Sequence, residues 1–171
     1  AITVGSMGGL LAQLEMGYPP CTPTACLELL RFYHIPMEGQ KVAVVGKSLT
    51  VGLPTALLMM NEEATVSVCH ILSRPEDTRQ LCQQADIVIS AAGCAGLIRA
   101  DYVRPGQVVV DVGVNVGKDG VMRGDAAFEE VEPIVKAITP VPGGVGAITS
   151  TVLMAHVVEA AMRQKGLKKQ R

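Results

Sequence analysis

The chain has 171 residues, and its 15 Lys and Arg nearly balance 16 Asp and Glu, which gives a net charge of −1. Hydrophobic residues make up 49% and charged residues 18% of the chain, which excludes an intrinsically disordered protein. The balanced charge argues against a nucleic-acid partner. With no Trp, two Phe and three Tyr, the core must be aliphatic.

The sequence favours a cytoplasmic protein with no membrane partner and no metal. No uninterrupted apolar run approaches the roughly 18–20 residues of a membrane span, and no signal peptide is visible. The five cysteines are odd in number and form no CxxC pair, which predicts reduced thiols and no metal site. Residues 1–9 have the character of a loop from the middle of a protein, so we expect a piece of a longer chain.

Short continuous apolar runs alternate with helical segments along most of the chain. Strands buried on both faces have this pattern, so the fold class predicted is α/β, a Rossmann-like doubly wound parallel sheet flanked by helices. After a weak helical turn near residues 10–14, helices are expected at 25–33 (with Thr22 as N-cap), 53–60, 75–84 and 149–165. Strands are expected at 41–46, 64–70, 86–93, 107–113 and 137–139, with a hairpin near Asp119 and Gly120.

The first strand runs into a glycine-containing turn that could bind a phosphate. Gly46, Lys47 and Ser48 end the strand, and Val51 and Gly52 precede the next helix. Backbone N–H groups at such a turn can approach a phosphate at a helix N-terminus. The turn matches neither GxGxxG nor the P-loop pattern, and a tight turn without a ligand is the alternative.

The end of the second strand carries no carboxylate to hold the ribose 2′-hydroxyl of NAD. Lys47, Ser73 and Arg74 instead offer two cations and a hydroxyl, which suits the 2′-phosphate of NADP. Ordinary surface charges are the alternative. Ala92 and Gly93, and likewise Val114 and Asn115, follow later strands, where the ligand crevice of an open α/β sheet lies.

Five motifs occur in the order found in one enzyme family. They are YPPCTP (18–23), VVGKS (44–48), VGLP (51–54), DVGVN (111–115) and PVPGGVG (140–146). The chain resembles bifunctional methylenetetrahydrofolate dehydrogenase/methenyltetrahydrofolate cyclohydrolase. The resemblance implies NADP-dependent oxidation of 5,10-methylenetetrahydrofolate, hydrolysis of the product to 10-formyltetrahydrofolate, a folate substrate and a homodimer.

The same resemblance implies roles for individual residues. Cofactor binding is expected at Gly46, Lys47, Ser48, Val51, Gly52, Ser73, Arg74, Ala92, Gly93, Val114 and Asn115. Folate binding is expected at Pro142, Gly143, Gly144, Val145 and Thr149. Ile71 and Leu72 interrupt the family's usual Cys-His-Ser-Arg run, so either Ser73 or Ile71 could occupy the cofactor position.

The family's catalytic lysine stands in a YxxxK motif, and no tyrosine of this chain has Lys four residues later. No catalytic residue is therefore assigned, and the chain alone is expected to be inactive. Residues 1–36 would be a remnant of the folate domain, 37–146 the NAD(P)-binding domain, and 147–171 a helix returning to the folate domain. The alternative function is a stand-alone, non-catalytic nucleotide-binding or interaction module.

Overall fold

The computed structural model describes residues 2–167 and is built around a five-stranded parallel sheet. The strand order is β2-β1-β3-β4-β7, so the connection reverses direction beside β1, as in a doubly wound sheet. A separate antiparallel hairpin pairs β5 with β6, which confirms the excursion expected at Asp119 and Gly120. The strands are β1 (Lys41–Val45), β2 (Thr65–Cys69), β3 (Ile87–Ser90), β4 (Val108–Asp111), β5 (Asn115–Val116), β6 (Met122–Arg123) and β7 (Ala137–Ile138).

Helices cover both faces of the sheet, because its strands are apolar on both sides. Val42 and Val44 pack in a core with α2, α3 and α6, whereas Ala43 and Val45 pack in a second core with α4 and α5. All four are at most 1% exposed, as expected for a parallel sheet covered on both faces. The helices are α1 (Val4–Ala12), α2 (Cys21–Phe32), α3 (Gly52–Asn61), α4 (Pro75–Gln84), α5 (Phe128–Val131) and α6 (Thr149–Gln164).

The predicted α4 has the same bounds in the structure, and the helix expected from residue 149 ends one residue early. The loop expected at residues 1–9 is wrong, since α1 begins at Val4 with Thr3 Oγ1 accepting from the Ser6 N–H at 3.2 Å. The Thr22 cap is also wrong. Helix α2 starts at Cys21, and the Thr22 side chain makes no capping hydrogen bond.

Helix α6 bears on the expectation that the chain contains no segment able to span a membrane. Residues Val145–Gln164 are long and apolar enough to cross a membrane by length and composition, with 11% of the tested window buried. Polar residues interrupt this stretch, so it contains no long apolar run although its average composition is apolar. Four large apolar side chains on this helix are more than half exposed: Leu153, Met154, Val157 and Val158. Part of the basic tail, residues 168–171, lies outside the described residues.

The cysteines differ in burial, which predicts their order of reaction with alkylating reagents. Burial raises the pKa of both the Cys26 and Cys82 thiols to about 12 and also raises that of Cys69. Because the thiolate is the nucleophile, Cys21 and Cys94, which are half-buried, should react first. Mass spectrometry after iodoacetamide treatment of the folded chain measures this order. Early labelling of Cys26 or Cys82 would contradict it, and labelling in denaturant is the control.

Candidate dinucleotide-binding site

The turn after β1 is shaped by two glycines that contact each other through the backbone. Gly46 has φ +136°, and its N–H donates to the Cys69 carbonyl of β2 at 2.8 Å. A Cβ on Gly46 would overlap the Ala91 carbonyl oxygen, and one on Gly52 would overlap the carbonyl oxygen of Gly46. The first turn of α3 therefore packs directly on the end of β1, which is the close approach that a phosphate-binding turn needs.

Ser48 organises the N-terminus of α3 from within this turn. Its Oγ accepts hydrogen bonds from the N–H groups of Val51 and Gly52, at 3.1 and 3.3 Å. With both bonds directed at the oxygen, the hydroxyl hydrogen of Ser48 is available to donate to an anion. Ser48 thus joins the turn after β1 to the first residues of α3 in one hydrogen-bonded unit.

Two cations flank this unit at the carboxyl ends of β1 and β2. Lys47 and Arg74 are exposed, and neither makes an ion pair with a carboxylate within residues 2–167. Ser73 fixes the turn between β2 and α4, since its Oγ accepts from the His70 N–H at 3.0 Å. Ile71 and Leu72 protrude from that turn, with 58% and 85% of their surfaces exposed.

On the other side of Gly46, a buried carboxylate holds the ends of β3 and β4 together. Asp125 is 0% exposed. Its two oxygens accept from the N–H groups of Ala92, Gly93 and Cys94 at 2.7, 3.0 and 2.9 Å. They also accept from Ser90 Oγ at 3.3 Å and from Asn115 Nδ2 at 2.9 Å. Ala92, Gly93 and Asn115 are predicted to bind the cofactor, and in the structure these N–H groups of theirs donate to Asp125.

A second buried carboxylate, Asp111, supports the first. Its oxygens accept from the N–H groups of Gly113, Asp125 and Ala126 at 2.9, 3.0 and 2.7 Å. The packing is reciprocal, because a Cβ on Gly113 would overlap the Asp125 carboxylate and a Cβ on Gly124 would overlap the Asp111 carboxylate. We call these four residues, Asp111, Gly113, Gly124 and Asp125, the aspartate–glycine cluster.

Burial raises the pKa of Asp111, against the opposing effect of its three N–H donors, and the nearby charge of Asp125 raises it further. A raised pKa in the folded state means that the stabilising contribution is present at low pH. It is lost as the pH rises from the unfolded pKa through the folded one. The stability advantage of the wild type over Asp111→Asn should therefore shrink between acid and neutral pH. Urea unfolding across that range measures it, and a gap that widened with pH would contradict the prediction.

Next to these turns lies a cavity of about 570 Å³. It is lined in part by Thr22, Val51, Gly113, Val114, Met122, residues 140–147 and Thr149. The structure thus brings every predicted folate-binding residue beside Val51 and Val114 of the predicted cofactor set. Pro142 and Gly143 are exposed, whereas Gly144 is buried and the Val145 side chain, 2% exposed, packs in the main core. Thr149 Oγ1 donates to the Gly146 carbonyl at 3.0 Å.

Sequence reasoning missed both aspartates as contributors to the site. Asp111 lies in the motif at 111–115 but has no predicted role there, and Asp125 lies outside every motif. The available signal was that each has a glycine within two residues, at 113 and 124. That spacing reveals nothing about burial, so the pairing becomes visible only when β4 and the segment after β6 are brought together.

A parallel sheet with a glycine turn after its first strand, and with cations at two adjacent strand ends that pair with no carboxylate between residues 2 and 167, is typical of a dinucleotide-binding domain. Comparison with known families agrees. Residues 20–165 match the family described as tetrahydrofolate dehydrogenase/cyclohydrolase, NAD(P)-binding domain. The chain belongs to this family, and the matched segment is its NAD(P)-binding domain.

Relatives and solved structures give the same result. The chain is 48% identical over 169 residues to the bifunctional protein FolD of Carboxydothermus hydrogenoformans, covering 98% of this chain and 58% of that protein. The Thermoplasma acidophilum bifunctional enzyme superposes with a TM-score of 0.90 at 37% identity, covering 97% of this chain and 58% of that one. The Trypanosoma brucei enzyme, solved with NADP cofactor and an inhibitor, gives 0.88 at 34% identity, covering 95% and 57%. The chain spans a little over half the length of these relatives.

Proposed function

We propose that this chain supplies the cofactor-binding part of an NADP-dependent methylenetetrahydrofolate dehydrogenase/methenyltetrahydrofolate cyclohydrolase. The whole protein would oxidise 5,10-methylenetetrahydrofolate to the 5,10-methenyl form and hydrolyse that product to 10-formyltetrahydrofolate. The observation that carries the proposal is the family match over residues 20–165, in a chain whose motifs at 18–23, 51–54, 111–115 and 140–146 line one cavity at the carboxyl edge of the sheet.

The residues at that edge fit a dinucleotide with a 2′-phosphate. Gly46 and Gly52 let the first turn of α3 pack directly on the end of β1, where a pyrophosphate would approach, and the Ser48 hydroxyl can donate to it. Residues 68–74 contain no carboxylate that would repel a 2′-phosphate. Lys47 and Arg74 would neutralise its charge, and Arg74 can offer two parallel N–H donors. These features support NADP over NAD.

NADP, when bound, supplies the ring that accepts a hydride from the folate. This chain's own contribution is to hold and orient the two reactants. Val114, 61% exposed, would lie beside the nicotinamide end, and the cavity wall formed by residues 142–145 with Thr149 would face the folate. Both steps need groups that move protons, and we place none of those in this chain. The dual activity therefore requires residues outside it.

We infer a homodimer in the cytoplasm, and a division of this chain at residues 36 and 146 into folate-domain and cofactor-domain parts. Ala25 and Cys26, on the folate-domain side of that division, share a core with the sheet residues Val42 and Val44. Sedimentation at several concentrations tests the dimer, which a monomer at every concentration would contradict.

Two measurements test the function. Isothermal titration of NADP and NAD into the chain should show NADP binding about 100-fold or more tightly, the difference expected from two charge-assisted contacts. Binding of neither dinucleotide would overturn the assignment. The part of the Carboxydothermus relative that this chain does not match can then be fused ahead of residue 1. Folate-dependent NADPH formation by the fusion, and none by the chain alone, is the expected result.

A further inference from the structure

The strand order divides the cofactor cleft into two halves with different supports. In a doubly wound sheet the pyrophosphate lies at the turn after the first strand, and the two nucleosides extend to either side of it. Here β2, with Ser73 and Arg74, lies on one side of β1, while β3 and β4 lie on the other. If the 2′-phosphate sits beside β2, the nicotinamide half lies over the ends of β3 and β4.

The two halves are also held by different hydrogen bonds. The β2 half depends on local bonds, such as those between Ser73 and His70, and on the Gly46 N–H to Cys69. The turn of residues 92–94 is different, because its three consecutive N–H groups all donate to Asp125. A carboxylate accepting several charge-assisted bonds fixes such a turn strongly. Asp125 therefore determines the conformation of one half of the cleft only.

Asp125 also links that turn to the end of β4. Asn115 Nδ2 donates to the oxygen that accepts from Cys94, so the turns after β3 and β4 share one acceptor. Val114, the exposed residue beside Asn115, then has a position set by Asp125. The carboxylate is itself held in place, since the Asp125 N–H donates to Asp111 and the Ile98 N–H donates to the Asp125 carbonyl at 3.1 Å.

We propose that Asp125 is a positioning residue for the nicotinamide half of the dinucleotide, acting through the turns that hold Ala92, Gly93 and Val114. It touches neither cofactor nor substrate, and the adenosine half of the site does not depend on it. This inference rests on the proposed binding of NADP, and it adds a residue that orients the reactive ring.

The test separates the two halves of the ligand. Asp125→Asn keeps the shape of the side chain but replaces one acceptor oxygen by a donor, so at least one N–H of residues 92–94 loses its partner. The variant and the wild type are titrated with NADP and with 2′-phospho-ADP-ribose, which lacks the nicotinamide ring. We expect the Kd for NADP to rise about tenfold, and that for the truncated ligand to stay within about twofold.

Saturation-transfer NMR of bound NADP provides the second readout. In the wild type both rings should receive magnetisation from the protein. In Asp125→Asn the adenine signals should persist while the nicotinamide signals are lost. Asp119→Asn is the matched control, because Asp119 is an exposed carboxylate of the neighbouring hairpin that pairs with Arg123. It should leave both affinities and both sets of signals unchanged.

Circular dichroism establishes that each variant is folded at the temperature used. If Asp125→Asn does not fold, Ser90→Ala replaces it, since this change removes one donor to Asp125 and leaves the carboxylate in place. The same selective loss, smaller in size, is then expected. Equal loss of both ligands, or unchanged nicotinamide signals in a folded variant, would overturn the role of Asp125. That result leaves the proposed function standing, whereas a wild type that bound neither ligand would remove both.

Discussion

The double substitution Lys47→Met with Arg74→Met should lower the affinity for NADP by roughly 100-fold or more, while affinity for NAD changes by less than about threefold. Each charge-assisted contact to a phosphate is worth about 1.5–3 kcal/mol, which corresponds to roughly 10- to 150-fold in Kd. Both side chains are exposed and form no ion pair with any residue between 2 and 167, so removing them should cost little stability.

Isothermal titration of the two dinucleotides measures this effect, and raising the salt concentration should reduce it because exposed charges are screened. Lys41→Met is the matched control. Lys41 is an exposed lysine at the opposite, amino end of β1. Its replacement should leave both affinities unchanged. A parallel loss of NAD and NADP binding in the double variant would mean that the two cations do not recognise the 2′-phosphate.

The second large effect is expected from Gly46→Ala, which should destabilise the fold and abolish dinucleotide binding together. The φ of +136° disfavours any L residue, and the new Cβ would overlap the Ala91 carbonyl oxygen, which belongs to backbone that cannot rotate away. Strain of this kind costs roughly 3 kcal/mol or more. For a chain of this size, the melting temperature should fall by ~6–12 °C.

Gly39→Ala is the control that separates strain from overlap. Gly39 also has a positive φ, +70°, but a Cβ there meets nothing within 4 Å and lies at the far end of β1. It should cost only about 1–2 kcal/mol and leave NADP binding intact. Differential scanning calorimetry and titration of both variants provide the measurements. Equal melting temperatures for the two variants would show that the Ala91 contact is unimportant.

The sheet and the glycine turn could be predicted from sequence because their signals are local. The run at residues 42–45 is apolar at consecutive positions, as expected for a strand buried on both faces, and Pro75 with two acidic residues marks the start of α4. The β5–β6 hairpin could likewise be predicted, from the adjacent Asp119 and Gly120. In the structure Arg123 binds Asp119 and lowers the pKa of its carboxyl to about 2.

What could not be predicted depends on contacts between distant segments. Asp125 receives its donors from residues 10 to 35 positions earlier in the chain, and no local pattern distinguishes it from a surface aspartate. Helix α5, four residues long, carries two exposed glutamates beside Phe128 and lacks the apolar periodicity of a longer helix. Helix α2 begins at Cys21 because Pro20 already has an extended conformation, which a cap at Thr22 did not anticipate.

The aspartate–glycine cluster constrains how this sequence can diverge. A side chain at position 113 or 124 would need the space that the facing carboxylate occupies, so neither glycine can change alone without displacing an aspartate. Loss of either carboxylate leaves buried N–H groups without acceptors, which also selects against single changes. Natural sequences should therefore retain or lose the four residues together, so that they are inherited as one unit although 14 positions separate the aspartates.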